Sequence, residues 1–448
     1  MSLPQMPSVR ELDRVFKPSL PDVFSSVHLT RSPNFWRRAL GFLGPGFLIS
    51  VGYMDPGNWA TDIAGGSRYG YTLLFVIMLS NLMAILLQSL ALKLGIATER
   101  DLAQACRESY SRPMAVMLWI FAEVAIAACD LAEVIGSAIA LQLLFHIPLV
   151  IGVILTGADV LLLLLLQNKG FRYLEALVIT LIATIIVLFG VQIALSHPEW
   201  GLIGRNLLLP TTTKMITDPG MLYIAISILG ATVMPHNLYL HSAIVQTRDY
   251  PRTSKGKREA ILFANLDSAT ALMIALLVNA AILVVAAAVF HRNGHFEIAE
   301  IEDAYKLLSP MLGVVGASTL FAVALLASGQ NSTITGTLAG QVVMEGFIDI
   351  RLKPWLRRLI TRTLAIVPTV IITILYGARG TGKLIILSQV ILSLQLSFAV
   401  FPLVAFTSDR RRMGEFVNAT WLKHLSYCVA VLIAGLNIWL LVQTFRGS

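Results

Sequence analysis

The four residues Asp55-Pro56-Gly57-Asn58 stand inside an apolar stretch of membrane-spanning length, and they constrain this chain more than any other feature. Hydrocarbon offers no partner to a backbone N–H or C=O, so an interrupted spanning helix survives only where the freed groups line a protein-bounded site. Pro56 has no N–H to donate, and Gly57 permits the backbone angles of a break. Asp55 adds a carboxylate at a depth where a charge costs on the order of 2.5–3.5 kcal/mol. The helix is expected to begin near Arg38 and to resume at Trp59. A second interruption, Met234-Pro235-His236, falls in the middle of another apolar stretch. Interrupted helices in corresponding halves of a chain are the sequence pointer to a transporter's binding site.

Composition agrees. The 448 residues are 56% hydrophobic and 13% charged, with mean hydropathy +0.74, where soluble domains carry about 25% charged residues. The chain reads as an all-α polytopic membrane protein with eleven spans, centred near residues 50, 84, 124, 157, 184, 233, 276, 328, 367, 394 and 434. Its net charge of +8 is a topology signal rather than a nucleic-acid footprint. Lys and Arg crowd the loops on the N-terminal side of the membrane, densest at Arg248 to Arg258, Arg351 to Arg362 and Arg410 to Arg412. The positive-inside rule then places the N-terminus in the cytosol and the C-terminus outside, in the cell membrane. The same loops can touch lipid headgroups. Cys106, Cys129 and Cys428 form no CxxC pair, so no disulfide framework is implied. Residues 1–36 are polar and lack a signal-peptide core. They read as a flexible cytosolic tail, and residues 37–448 as one transmembrane domain.

Spans 1–5 (about 38–197) and 6–10 (about 219–409) form two halves. Each opens with a broken helix, and the halves have opposite orientation because five is odd. An eleventh span, about 422–445, lies outside the pair. This is an inverted repeat of 5+5 helices with helices 1 and 6 unwound. It rests on topology, since no repeated sequence supports it. Residues 292 to 312 read as an acidic external loop with a short helix, and residues 195 to 219 as another external loop.

The first break favours a cation. A half-helix ends there with negative dipole character, Asp55 supplies a full charge, and Asn58 supplies an amide oxygen. In the second break Pro235 suits the first position of a new half-helix, which frees the Ala231 carbonyl. Met234, ordinary packing in any uninterrupted helix, offers a thioether there. A soft sulfur beside hard oxygens favours transition metals over Mg²⁺ or Ca²⁺. Gln389 in span 10 and Asn279 in span 7 are further polar candidates, although such residues often only bond between helices. Span 3 carries Glu123, Asp130 and Glu133. Glu123 and Asp130 share a helix stripe, with Glu133 turned aside. Buried carboxylates that repel one another suit a proton relay, and His236 can titrate near neutrality. Arg358 and Arg362 are placed to pair with these carboxylates on the inner side. The bland alternatives are a static charge-compensated network and a structural histidine.

Some apparent motifs are decoys. Gly377 to Lys383 has the glycine spacing of a phosphate-binding loop, but Leu384 stands where Ser or Thr belongs and no βα unit surrounds it. The sequons at Asn331 and Asn418 fall in a span and in an inner loop.

The chain resembles the Nramp metal-ion transporters, most of all the bacterial proton-coupled manganese transporters. The resemblance rests on GPGF (Gly44 to Phe47), DPGN (Asp55 to Asn58), GATVMPHNLYLHS (Gly230 to Ser242) and SGQNSTITGTLAGQVVMEGF (Ser328 to Phe347), and it spans about residues 37–445. It implies a LeuT-like fold with the substrate at the midplane. It also implies metal binding by Asp55, Asn58, the Ala231 carbonyl and Met234, and proton movement through Glu123, Asp130, Glu133 and His236. Met234 argues against the magnesium-transporting branch, which lacks it. On this reading the chain imports Mn²⁺ and Fe²⁺ with protons, with no cofactor and no obligate protein partner. Three other readings are weighed. An amino-acid symporter of the same fold is disfavoured by Asp55 at the break. A metal channel usually presents rings of ligands from several subunits. An enzyme would need a nucleophile–base pair at the breaks, and none is present.

Overall fold

A computed structural model describes residues 18–20, 24–29, 34–156, 171–208, 217–298, 300–350, 352–376 and 380–446. Part of the span expected near residue 157, part of the decoy at Gly377 and part of the external loop near 195–219 lie outside the described residues, as does Arg351. In chain order the elements are β1 (Val27–His28), α1 (Phe35–Phe42), α2 (Pro45–Gly52), α3 (Pro56–Tyr69), α4 (Leu74–Thr98), α5 (Leu102–Ser109), α6 (Arg112–Phe145) and α7 (Leu149–Leu155). They continue with α8 (Phe171–Ser196), α9 (Trp200–Leu208), α10 (Pro219–Thr232), α11 (Pro235–Ile244), β2 (Arg248–Asp249) and α12 (Ser254–Val289). The chain closes with α13 (Ile301–Leu312), α14 (Ala317–Ile348), α15 (Pro354–Tyr376), α16 (Thr381–Thr407), α17 (Arg410–Met413) and α18 (Thr420–Arg446).

Among the described residues seven helical stretches are long and apolar enough to cross a membrane, from Pro56–Thr98 to Thr420–Val442. They match the spans expected near 84, 124, 184, 233, 276, 394 and 434. The span near 328 is α14, which is 32 residues long but carries a polar run, Ser328 to Thr337. The span near 367 is α15, whose apolar part is Leu359–Ile371. Helices α6 and α14 pack along each other, and α12 covers α2, α3 and α4.

The helix expected to begin near Arg38 is interrupted twice rather than once. It starts at Phe35, breaks at Leu43-Gly44, runs as α2, breaks again at Tyr53 to Asp55 and resumes at Pro56 instead of Trp59. The extra break is built by Gly44, whose φ of +140° other residues rarely adopt, and by Pro45, which needs no N–H partner. Groups freed there find partners on other elements. Gly44 and Gly46 donate to Asp267 at 3.2 and 2.7 Å. Arg248 and Arg172 donate to the Leu43 carbonyl at 2.9 and 2.8 Å. Glu175 balances Arg248 at 2.7 Å, both buried. A buried pair of this kind locks an arrangement that neither ion alone would tolerate.

Part of the segment expected as a free tail is packed. Val27 and His28 pair with Arg248 and Asp249 as parallel strands, Ser25 N–H donates to Gln246 at 3.0 Å, and Ser19 bonds Asp101 at 2.5 Å.

The acidic segment expected as an external loop contains the short helix expected there, α13. Its Glu302 is 6% exposed. Burial, with Glu300 and Asp303 alongside, pushes the Glu302 carboxyl up to about 7. A folded-state value above the unfolded one means that the protonated form favours folding. The stability gained is complete in acid below the unfolded value, about 4.3, and is lost as pH rises through 7. We expect the thermal midpoint in detergent to fall between about pH 5 and pH 7.5, by a free energy on the order of 3 kcal/mol. Glu302→Gln should flatten that part of the profile, as scanning fluorimetry across pH would record.

Candidate functional site

The two breaks meet at the centre of the molecule. At the first, Asp55 caps α3 by accepting the Asn58 N–H at 2.8 Å, and Pro56 takes the first helical position. At the second, α10 ends at Thr232, Met234 is the cap residue of α11, and Pro235 takes its first position. The carbonyls exposed by the first break are matched one by one. Gly52 accepts from Asn58 at 3.2 Å, and Tyr53 accepts from Asn279 at 2.7 Å. Met54 accepts from the Trp59 indole at 3.1 Å and from Ser328 at 2.5 Å. The Ala231 carbonyl, freed by the second break as expected, accepts from Asn58 at 3.0 Å.

This accounting leaves a distinct set of acceptors. Asp55 Oδ2 and Gln389 Oε1 are buried without a hydrogen-bond partner among the described residues. Asp55 Oδ1 receives the Asn58 amide at 2.7 Å. Gln389 donates to Ser388 at 2.9 Å and lies over Gly57, where a Cβ would sit 2.1 Å from its Nε2. Glycine is therefore required for that approach. The Met234 sulfur lies 3.1 Å from where a Gly52 Cβ would stand. All of Asp55, Asn58, Ala231, Met234 and Gln389 are at most 1% exposed. One carboxylate, neutral oxygens and a thioether form a pocket of acceptors, which suits a cation. Among the described residues no group of three or more His, Cys, Asp or Glu side chains gathers as a metal cluster, so the set is poor in charge.

Two placements differ from expectation. Asn58 turns its NH₂, not its oxygen, between Asp55 and Ala231. Its Oδ1 accepts from Asn279 at 3.2 Å. The positive end of the amide dipole thus separates two acceptors that would otherwise repel, and a half-turn of the carboxamide brings the oxygen there instead. Asn279 therefore stands behind Asn58 and supports the break.

The span 3 carboxylates also regroup. A Cβ at Gly336 would lie 3.1 Å from Glu133 and 3.3 Å from Asp130, so these two converge on α14. Both are at most 1% exposed. Glu123, the expected stripe partner of Asp130, is only partly buried and accepts from Trp119 at 3.1 Å. Packing against α14 decides the grouping, which helix periodicity alone did not weigh. Arg362 lies 3.5 Å from Glu133 and 3.5 Å from the Asp130 carbonyl, and it also bonds Thr333. The Arg358 side chain lies outside the described residues. His236 is buried with Nδ1 unpaired among the described residues. Three features escaped the sequence reading. Asp62 is buried seven residues beyond Asp55. Asn237 contacts the Met234 sulfur at 3.7 Å. The chain His241–Gln88–Tyr53 runs at 2.9 Å per step. Asn237 carried a signal, one helical turn after Met234, whereas the others look like isolated polar residues.

The family model described as natural resistance-associated macrophage protein-like matches residues 46–443. A divalent metal cation transporter MntH of Nostoc sp. is 62% identical over 96% of this chain and 97% of its own length. A protein of the same description from Listeria monocytogenes is 63% identical, covering 96% of both. A crystal structure of the Eremococcus coleocola manganese transporter superposes with TM-score 0.88 at 45% identity, over 94% of this chain and 90% of that one. Mhp1, at TM-score 0.53 and 14% identity over 90% of this chain and 91% of its own, shares the fold alone. The LeuT-like architecture that the resemblance implies is the one found.

The carboxylate pairing yields a stability test. Glu133→Ala removes the carboxylate facing buried Arg362 and should cost about 3–5 kcal/mol. Glu133→Gln keeps the shape and an acceptor for Arg362 and should cost less. Thermal midpoints of the two purified variants should differ in that order, and equal midpoints would contradict the grouping.

Proposed function

This chain belongs to the Nramp family, and on that premise we propose that it is a secondary active transporter that imports Mn²⁺, and Fe²⁺ with it, together with protons. The cation is cargo, held at the crossing of the two breaks by Asp55, Asn58, the Ala231 carbonyl, Met234 and Gln389. The observation that carries the reading is the pair of buried, unpartnered acceptors Asp55 Oδ2 and Gln389 Oε1 beside a thioether. Unpaired acceptors in a membrane interior are costly, and a divalent cation relieves both at once. The sulfur biases the set toward transition metals. The relatives described as divalent metal cation transporters support the same cargo class, and the solved manganese transporter supports Mn²⁺.

Protons are proposed to move through Asp130, Glu133 and His236 toward Arg362, with Glu123 at the partly buried margin of the route and Arg358 at its inner end. The converging carboxylates and the unpaired imidazole nitrogen support this route. An asymmetric site from one chain, reached through two half-helices, fits alternating access better than a pore. The N-terminus is proposed to face the cytosol and the C-terminus the outside of the cell membrane, on the bias of Lys and Arg among the loops.

Proteoliposomes loaded with a pH reporter test both halves. The parent protein should accumulate Mn²⁺ and acidify the lumen, with uptake rising as external pH falls toward about 5. Asp55→Ala should insert yet lose saturable uptake, and Mn²⁺ transport by that variant at the parent's rate would end the metal-site reading. Asp130→Asn should lose proton flux more than Mn²⁺ binding. Full proton flux in that variant would move the relay elsewhere.

A further inference from the structure

Asn237 is a buried polar side chain that the ligand set above does not use. It is the third residue of α11, one turn after Met234, and has no exposed surface. Its Nδ2 lies 3.7 Å from the Met234 sulfur and 3.5 Å from the Ile49 carbonyl of α2. A Cβ at Gly52 would fall 2.3 Å from that same nitrogen, so the amide is wedged between the two half-helices. Its Oδ1 is buried with no hydrogen-bond partner among the described residues. An amide acceptor left unpaired is unfavourable, so the contacts on the nitrogen side set its orientation.

A methionine side chain has three rotatable bonds and adapts readily to its surroundings, which makes an unsupported thioether a poor selective ligand. A thioether sulfur carries two lone pairs. An N–H directed at one of them restrains the side chain and leaves the other for a cation.

We propose that Asn237 is a positioning residue: its carboxamide holds the Met234 thioether toward the break and so sets discrimination between soft or borderline cations and Ca²⁺. The proposal rests on the reading that Met234 binds the metal. A competing role, a strut from α11 to α2 through Ile49, predicts different behaviour. A strut would act whether or not the sulfur were present, whereas a positioning residue loses its effect when the sulfur is removed.

The test is a double-mutant cycle in proteoliposomes with Asn237→Ala, Met234→Ala and the double variant. The readouts are KM and maximal rate for Mn²⁺ and Cd²⁺, and competition by excess Ca²⁺. Asn237→Ala should raise KM for Mn²⁺ and Cd²⁺ about three- to tenfold, the loss of one hydrogen bond, with little change in maximal rate and stronger Ca²⁺ competition. In the Met234→Ala background it should add nothing. Asn237→Ser, which retains a donor, should recover part of the discrimination. If Asn237→Ala does not insert, Asn237→Leu, close in shape and lacking a donor, takes its place. A KM rise of equal size in both backgrounds assigns Asn237 to the strut and overturns the proposal. So does an unchanged KM in Asn237→Ala while Met234→Ala loses Cd²⁺ affinity. If Met234→Ala itself keeps the parent's Cd²⁺ affinity, the failure lies in the sulfur reading, and the proposal falls with it.

Discussion

Everything in this molecule depends on the backbone carbonyls released at Gly52, Tyr53 and Met54. In hydrocarbon each unpaired carbonyl costs several kcal/mol, so a helix cannot simply stop at mid-membrane. The surrounding elements answer the problem with donors: Asn58 and the Trp59 indole from α3, Asn279 from α12 and Ser328 from α14. Because those donors come from both halves of the chain, the break fixes how the halves meet. Asn58 then reaches across to Ala231 in the second break. The acceptors left over after this pairing, Asp55 Oδ2 and Gln389 Oε1, define the chemistry of the centre.

The N-terminal end of the interrupted first helix repeats the logic with charges. Gly44 and Pro45 open a second break, and Asp267, Arg248, Arg172 and Glu175 close it. As a result α2 is a short helix tied at one end to an ionic cluster and at the other to the central site.

The central break was legible because Asp, Pro, Gly and Asn are each disfavoured in an apolar helix, and four together have no packing explanation. Met234 and Pro235 were legible by position, as the counterpart in the other half. The ionic cluster was not, since Glu175, Arg248 and Asp267 stand far apart in sequence and each alone looks like a boundary residue. Helix periodicity grouped Glu123 with Asp130, but the partner helix α14 pairs Asp130 with Glu133 through the space left at Gly336. The amide of Asn58 was expected to offer oxygen. Its orientation depends on Asn279, a contact between spans that one sequence does not display. The signal Asn237 carries, its place one turn after Met234, is weak because a polar residue in the first turn of a helix is commonplace, and the distance to sulfur is what distinguishes it.

The central claim is that a divalent transition-metal ion sits at the crossing of the two breaks. Anomalous diffraction from crystals soaked in Mn²⁺, with data above and below the manganese edge, tests it most directly. The account predicts one strong peak in contact with Asp55 Oδ2, the Ala231 carbonyl, the Met234 sulfur and Gln389, with the Asn58 amide turned so that its oxygen faces the ion. A saturating soak that leaves the crossing without a peak, or that places the ion away from Asp55, would contradict it.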